Sequence, residues 1–254
     1  MDLIKDIREI LDQFLDLVFP PRCIICREFI EERPTIPNYG AISFCPTCLS
    51  DFQEIPPSRC LVCSRPFDST LEDIHTCGTC LTNPPRFKRL AVPYLYEGSL
   101  MAAIHQFKYG GKSYTAGTLA RLLLPSAAQL AREIGNPLVM PVPLHPRRLR
   151  ERGFNQSLLL ARPVAKRLSL RLDYLSLRRT KYTLPQIGLK KDKRRKNVRR
   201  AFEVHHRNVI KGEKVLLVDD VATTGNTLNE CARVLLGAGC KEVYALVLAR
   251  TAGH

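Results

Sequence analysis

The sequence has no tryptophan, three methionines and an aromatic content of 7%. Proteins that stack the bases of a single strand draw on aromatic rings. This chain is poorly supplied with them, and near its most basic stretch only Phe154, Tyr174, Tyr182 and Phe202 are available. No run approaches the roughly 18 apolar residues that a membrane-spanning helix needs, which excludes insertion by a helix. The opening residues include Asp2, Asp6 and Glu9, with no basic leader and no long apolar core, so no secretory signal is read and a cytoplasmic location is expected.

Acidic residues are scarce in one place. Residues 145–214 hold 22 Lys+Arg against 5 Asp+Glu, a net of +17, whereas the whole chain has a formal charge of +15. Residues 1–88 hold 9 basic and 13 acidic groups. One segment, not the whole protein, is therefore basic, and it suits a polyanionic ligand. A length of 254 residues, 45% hydrophobic and 25% charged, fits one large or two modest globular domains. It excludes a disordered chain or a fibrous repeat.

Eight of the ten cysteines form four C-x-x-C pairs: Cys23/Cys26, Cys45/Cys48, Cys60/Cys63 and Cys77/Cys80. A C-x-x-C knuckle aims two thiolates at one point, and two knuckles complete a tetrahedral zinc site. Eight thiols supply two structural sites. Sequential pairing joins Cys23, Cys26, Cys45 and Cys48 on one zinc and Cys60, Cys63, Cys77 and Cys80 on the other. A cross-braced pairing remains open at this point. His75 reads as a surface residue, because the cysteines already complete both sets. Each four-thiolate centre carries a net charge of about −2, so two of them lower +15 to about +11. Cys231 and Cys240 read as buried small apolar residues.

Along the chain, Leu3, Ile4, Ile7, Leu11, Phe14, Leu15 and Val18 share one face of an amphipathic helix over 2–18. Pro84-Pro85 marks a boundary between an N-terminal module (1–88) and a second domain (89–254) of alternating strands and helices. Strands are expected over Ala91–Tyr96, at an edge or bulge because of Pro93, and over Leu138–Val142, Val215–Val218 and Val243–Ala249. Helices are expected over Ser99–Lys108, Thr118–Ile134, Gln156–Arg167 (distorted or restarted at Pro163) and Thr227–Leu236.

The most informative stretch runs from Val215 to Thr227. An apolar strand leads to Asp219 and Asp220, then a turn of small residues, then a helix. This layout sets backbone N–H groups and a helix N-terminus around an anion. Gly225 permits close approach, and Thr223, Thr224 and Thr227 add hydroxyl donors. Carboxylates repel phosphate, but they accept from ribose hydroxyls or bind a metal. A phosphate beside a sugar diol describes a ribose 5-phosphate. The loop lacks both G-x-x-x-x-G-K-[ST] and G-x-G-x-x-G, which excludes a P-loop and a dinucleotide fold.

This stretch resembles the PRPP-binding motif of type I phosphoribosyltransferases. With the four cysteine pairs in front of it, the chain resembles the ComF family of competence-associated proteins over about residues 20 to 250. Phe107-Lys108-Tyr109-Gly110-Gly111-Lys112 is similar to that family's F-K-[YF]-x-G segment. His145, Arg148, Arg152, Gly153, Phe154, Asn155 and Gln156 are similar to its H-x-x-R-x-x-x-R-G-F-N-Q motif. Arg179, Thr183, Gln186, Leu189, Arg194, Asn197 and Val198 are similar to a third segment. The fold expected is α/β, a type I phosphoribosyltransferase-like parallel sheet with an N-terminal double zinc ribbon.

The resemblance implies magnesium-dependent binding of PRPP and transfer of its phosphoribosyl group to an acceptor no residue names. Asp219 and Asp220 then hold the ribose hydroxyls, and Ala222, Thr223, Thr224, Gly225, Asn226 and Thr227 hold the 5′-phosphate. Lys108, with the backbone of Tyr109 and Gly110, holds the pyrophosphate. His145, Arg148, Arg152, Arg179 and Arg194 meet pyrophosphate, acceptor or a DNA phosphate. Residues 178–200 read as a lid that excludes water. The competing readings are a single-stranded DNA-handling factor, and a scaffold whose zinc module docks a competence helicase or recombination protein.

Overall fold

The computed structural model describes residues 19–67, 74–182 and 200–252. The expected helix over 2–18 lies outside them, as do Arg194 and most of the expected lid.

The N-terminal module is built from short pieces held at its cysteines. Strands β1 (Thr35–Ile36) and β2 (Gly40–Ala41) pair antiparallel, and helix α1 (Pro46–Ser50) follows. Strands β3 (Arg59–Cys60) and β4 (Ile74–His75) pair parallel, and helix α2 (Gly78–Thr82) follows. Cys45 and Cys77 are the residues at which the two helices begin.

The second part alternates as expected. Strands β5 (Leu90–Ala91) and β6 (Tyr94–Leu95) are split at Val92-Pro93, and both pair with the last strand. Pro93 thus sits at the sheet edge, where its missing N–H costs no ladder bond. Helix α3 (Gly98–Tyr109) and helix α4 (Ala116–Ile134) come next, then β7 (Leu138–Pro141), α5 (Pro146–Arg152) and α6 (Gln156–Arg167). An antiparallel pair, β8 (Leu177–Arg179) and β9 (Phe202–Val204), precedes α7 (Arg207–Ile210), β10 (Lys214–Ala222), α8 (Asn226–Gly237) and β11 (Glu242–Arg250). The main sheet is parallel, in the order β5-β11-β10-β7.

Its strands read as continuous apolar runs because both faces are covered. Leu216 and Val218 of β10 join Val139, Leu246 and Leu248 in a core with α3, α4 and α6. Val215 and Leu217, one residue out of phase, join Met140, Val243 and Val247 in a core with Leu228, Cys231 and Leu235 of α8. The cysteine-bearing region contributes to both cores: Ile24, Ile42, Phe44 and Phe52 to the first, Ile55 to the second.

Two expectations are corrected, and the ends of a third segment are located. The strand expected over Val215–Val218 continues to Ala222, because Asp219, Val221 and Ala222 keep pairing with Val247, Ala249 and Arg250 of β11. Helix α6 runs through Pro163 as one helix, so the helix does not restart there. An interior proline costs a helix about 3 kcal/mol, which the burial of Leu160, Ala161, Val164 and Ala165 and the Asn155 cap offset. Of the expected lid, residues 178 and 179 belong to β8 and residue 200 is a turn that leads into β9, while residues 183–199 lie outside the described residues.

Candidate functional site

Strand β7 ends at Pro141, opposite Val218, while β10 runs four residues further. Asp219 and Asp220 therefore stand at the carboxyl edge of the sheet, where one neighbour has ended. Such an edge is where open parallel sheets bind ligands. The turn Thr223–Gly225 follows, with Gly225 in the left-handed region (φ +73°), and α8 starts at Asn226. Asn226 N–H points at Thr224 Oγ1 (3.4 Å), and Asn229 N–H donates to the Gly225 carbonyl (2.9 Å). Ala222 is buried at the strand end, and Thr227 lies in the first turn of α8.

The two acids are held differently. Ser157 Oγ donates to Asp219 Oδ1 (2.8 Å), which also accepts from the Asp220 N–H (2.9 Å). Burial pushes the Asp219 carboxyl up to about 7, and the Asp220 charge adds to this against the Ser157 hydrogen bond, the Asp220 N–H and Lys108. Asp220 Oδ1 pairs with Lys108 Nζ at 3.1 Å. Burial disfavours the Lys108 ammonium, but Asp220, Tyr96 and Asp219 together outweigh it and hold the pKa above the ordinary lysine value. Lys108 lies in the last turn of α3, and Gly110 caps that helix. A Cβ at Gly110 would stand 2.6 Å from the Gln106 carbonyl oxygen.

The second and third motifs converge on the same edge. Phe107 and Phe154 stack with centroids 5.8 Å apart. Asn155 caps α6, accepting from the Ser157 N–H (3.0 Å) and donating to the Val142 carbonyl (3.1 Å). This anchors the start of α6 beside Asp219. Arg152 donates to Gln156 Oε1 (3.1 Å) and Tyr109 Oη (3.2 Å), and its guanidinium lies over the Tyr109 ring (4.9 Å). Gln156 is 1% exposed, and its Nε2 has no acceptor among the described residues. Arg179 has its pKa lowered by burial and by the charges of Arg148 and Arg152, with Cys231 and Asp219 opposing, so β8 brings it to this cluster. His145 instead caps α5, accepting at Nδ1 from Arg147 N–H (3.2 Å). Tyr182 gathers His145 (5.4 Å), Arg147 (4.6 Å) and Arg148 (5.8 Å) around its ring.

The cysteines fall into the sequential sets, Cys23, Cys26, Cys45 and Cys48, then Cys60, Cys63, Cys77 and Cys80, which rejects the cross-braced pairing. In each set the sulfurs lie within 4.8 Å of one another. Tetrahedral zinc with Zn–S near 2.3 Å needs sulfurs about 3.8 Å apart. Cys26 and Cys45 are 3.6 Å apart and Cys63 and Cys77 3.9 Å, so the donor sets fit zinc. The Cys48 N–H points at Cys45 Sγ (3.4 Å) and the Cys77 N–H at Cys60 Sγ (3.3 Å). Such donors favour thiolates. His75 stands outside both sets, exposed and stacked on Phe67 (4.1 Å). Cys231 and Cys240 are buried thiols.

Residues 14–81 match the double zinc ribbon domain family and residues 155–253 the phosphoribosyl transferase domain family. The chain is 33% identical over 238 residues to the DNA utilization protein YhgH of Salmonella typhi, covering 92% of this chain and 99% of that protein. It is 34% identical over 178 residues to competence protein F of Haemophilus influenzae, covering 68% and 78%. The chain belongs to the ComF family. A third member, competence protein ComFC of Bacillus subtilis, is 26% identical over 202 residues, covering 77% and 78%.

In this ComF-family chain, reading the sequence missed Ser157, and it named Tyr182 only as an aromatic near the basic stretch. Ser157 directly follows the Asn155-Gln156 pair, so its nearness to Asp219 had a signal, namely a hydroxyl in the first turn of a helix starting at the sheet edge. The packing of Arg147 and Arg148 on Tyr182 had none, because it joins residues separated by α6 and β8. Among the described residues, no helix is long and apolar enough to cross a membrane.

Proposed function

We propose that the chain binds PRPP at the carboxyl edge of its sheet and transfers the phosphoribosyl group to an acceptor, in the DNA-handling setting that its relatives' names give. The observation that carries this reading is the Asp219–Asp220 pair, placed between the Thr223–Gly225 turn with the α8 N-terminus and the Lys108 ammonium 3.1 Å from Asp220. The turn and helix N-terminus offer backbone N–H groups to a 5′-phosphate. Asp219 and Asp220 accept from the ribose hydroxyls, and such donation favours the ionised form of Asp219. Lys108, with Arg152 and Arg179, balances the charge that develops on departing pyrophosphate. The buried Gln156 Nε2 has an unmet donor that a ligand oxygen would satisfy.

Magnesium fits the donor set, since it is usually held by one or two carboxylates together with substrate phosphates. Asp219 and Asp220 would hold it, and it would supply charge neutralisation at the pyrophosphate. Calorimetric titration with Mg²⁺ and PRPP tests the reading. Wild type should bind, and Asp219→Asn/Asp220→Asn should weaken binding by at least tenfold. A folded wild type that binds no PRPP sinks it.

A second reading has its own support. Tyr182, 39% exposed, carries Arg147 and Arg148 against its ring. An aromatic flanked by cations suits single-stranded DNA. The two functions share a polyanion and can coexist on this basic face.

A further inference from the structure

Arg250 ends β11 and is 4% exposed. A guanidinium so buried needs negative charge nearby. Its Nη1 donates to the carbonyl oxygen of Cys63, and its Nε to that of Thr251 (3.2 Å). Burial disfavours its charge most, Arg65 adds to that, and the groups that oppose them are the sulfurs of Cys63 and Cys60. Arg250 is thus tied through the Cys63 carbonyl to the second four-cysteine set.

The backbone of the same residue leads the other way. Arg250 is the register partner of Ala222, and the Thr251 N–H donates to the Ala222 carbonyl (3.2 Å). Ala222 is the last strand residue before the Thr223–Gly225 turn. Neighbouring contacts tie the same two regions together. Leu90 N–H donates to the Val62 carbonyl (2.8 Å), and Arg86 N–H to Asn229 Oδ1 of α8 (2.6 Å). The first cysteine set is braced elsewhere. Arg121 of α4 donates to the Ala41 carbonyl (2.7 Å), and Gln106 of α3 reaches the Ile25 carbonyl (3.5 Å).

We propose that Arg250 is a positioning residue that couples metal occupancy of the second cysteine set, and not of the first, to the geometry of the phosphate-binding turn. Zinc held by Cys60, Cys63, Cys77 and Cys80 would fix the Cys60–Cys63 knuckle whose Cys63 carbonyl accepts from Arg250. Without metal that knuckle is no longer fixed, and Arg250 loses the carbonyl that it holds. The end of β11 then loses its anchor, and the Ala222 carbonyl that Thr251 holds loses it too. Coupling between two sites is reciprocal, so a ligand on the turn must also tighten metal at the second set. Only this last consequence rests on the phosphoribosyl reading.

The test uses the full-length, zinc-loaded protein. Zinc transfer to 4-(2-pyridylazo)resorcinol reads the two ions, the second being assigned by its absence in Cys60→Ser. Amide hydrogen exchange reads residues 222–229. In Arg250→Met, the second zinc should leave about tenfold faster with the first unchanged, and exchange over 222–229 should rise by a similar factor. Arg250→Lys, which keeps a hydrogen-bond donor, should restore part of both. Arg121→Met should speed the first zinc and leave exchange over 222–229 alone. Wild-type zinc release or wild-type exchange in folded Arg250→Met overturns the proposal. If that variant does not fold, wild type decides: removing the second zinc must raise exchange over 222–229, and no change overturns the coupling. Bound ribose 5-phosphate must slow release of the second zinc alone, and binding without that effect is equally fatal. A wild type that binds no ribose 5-phosphate overturns the phosphoribosyl reading, while the exchange measurement still decides this one.

Discussion

The Lys108 ammonium, in the last turn of α3, closes on the Asp220 carboxylate at 3.1 Å. The two side chains lie far apart in the chain, one ending α3 and the other near the end of β10, and the fold brings them together at the carboxyl edge of the sheet. Lys108→Met would leave Asp220 largely buried with its charge uncompensated. Breaking a buried pair costs about 3–5 kcal/mol, and the residual solvent contact here lowers the expectation to about 2–3 kcal/mol. Urea unfolding should show that loss, with PRPP binding weakened by more than tenfold. Adding Asp220→Asn should recover part of the stability and none of the binding. Full stability in Lys108→Met alone would refute the pair's role.

Asp219 makes a prediction about pH. An unfolded aspartate ionises near 3.9, whereas the folded carboxyl is pushed up to about 7 by burial and by Asp220. The folded state thus holds the extra proton between these values. Stability should therefore fall as pH rises from about 4 through 7, the reverse of a salt-bridged aspartate. Asp219→Asn keeps an oxygen for Ser157 Oγ and the Asp220 N–H and removes the ionisation. It should flatten this slope and stabilise the protein at pH 8 by on the order of 1–3 kcal/mol. Denaturant midpoints at pH 5, 6.5 and 8 for both proteins check this. A midpoint for wild type that rises over this range relative to Asp219→Asn contradicts it.

Some of this arrangement was legible in the sequence, for physical reasons that differ by element. The cysteine knuckles were readable because each is a local two-thiol unit, and the Asp219-to-Thr227 turn because strand, turn and helix are consecutive. Strand β10 was read too short because two acids do not look like strand residues. They remain in it because β11 pairs with them on one side while the other side is open. Strands β8 and β9 were missed because each has three residues, too few to show a two-residue period, and their pairing spans the chain between them. Helix α5 has one apolar residue, Leu149, and so no apolar face to read. The Lys108–Asp220 and Arg250–Cys63 contacts follow from topology, which no local pattern reports.

The two cysteine sets make a stoichiometric prediction. Because the sets are sequential, Cys23→Ser and Cys60→Ser should each lose one of two zinc ions, and the double variant should lose both. Ile24, Phe44 and Phe52 share a core with α3 and α4. Loss of the first zinc should therefore lower the melting temperature of the whole chain rather than release a separate module. Elemental analysis together with calorimetric unfolding would read both. A Cys23→Ser protein that keeps two zinc ions, or whose main transition does not move, would contradict the shared core.

The basic face around Tyr182 can be tested by salt. Each phosphate contact contributes about 0.7 to the slope of log affinity against log salt for a single strand. Arg147→Gln/Arg148→Gln should therefore lower that slope by about 1.4 if both cations meet DNA phosphates. Arg147 also pairs with Glu151 (3.2 Å) on the exposed surface, a contact worth little to folding, so stability should hardly change. An unchanged slope would remove this face from the DNA reading and leave PRPP as its polyanion.

Gly225 gives the sharpest separation between folding and binding. Its φ of +73° is left-handed, and a Cβ there would meet only the Phe87 ring at 3.9 Å, ordinary contact. Space is therefore available and the cost is conformational, about 1–2 kcal/mol for an L side chain in that region. Gly225→Ala can meet that cost by straining the turn in place or by relaxing it to negative φ. Relaxation would turn the N–H groups of the turn away from their common point, while the strand and helix on either side kept their cores. Ribose 5-phosphate affinity should then fall by more than tenfold, with unfolding stability lower by about 1 kcal/mol. Gly225→Asn, which tolerates the left-handed region better, should retain more of the affinity than alanine. Equal affinity for all three proteins would show that the turn does not hold the phosphate.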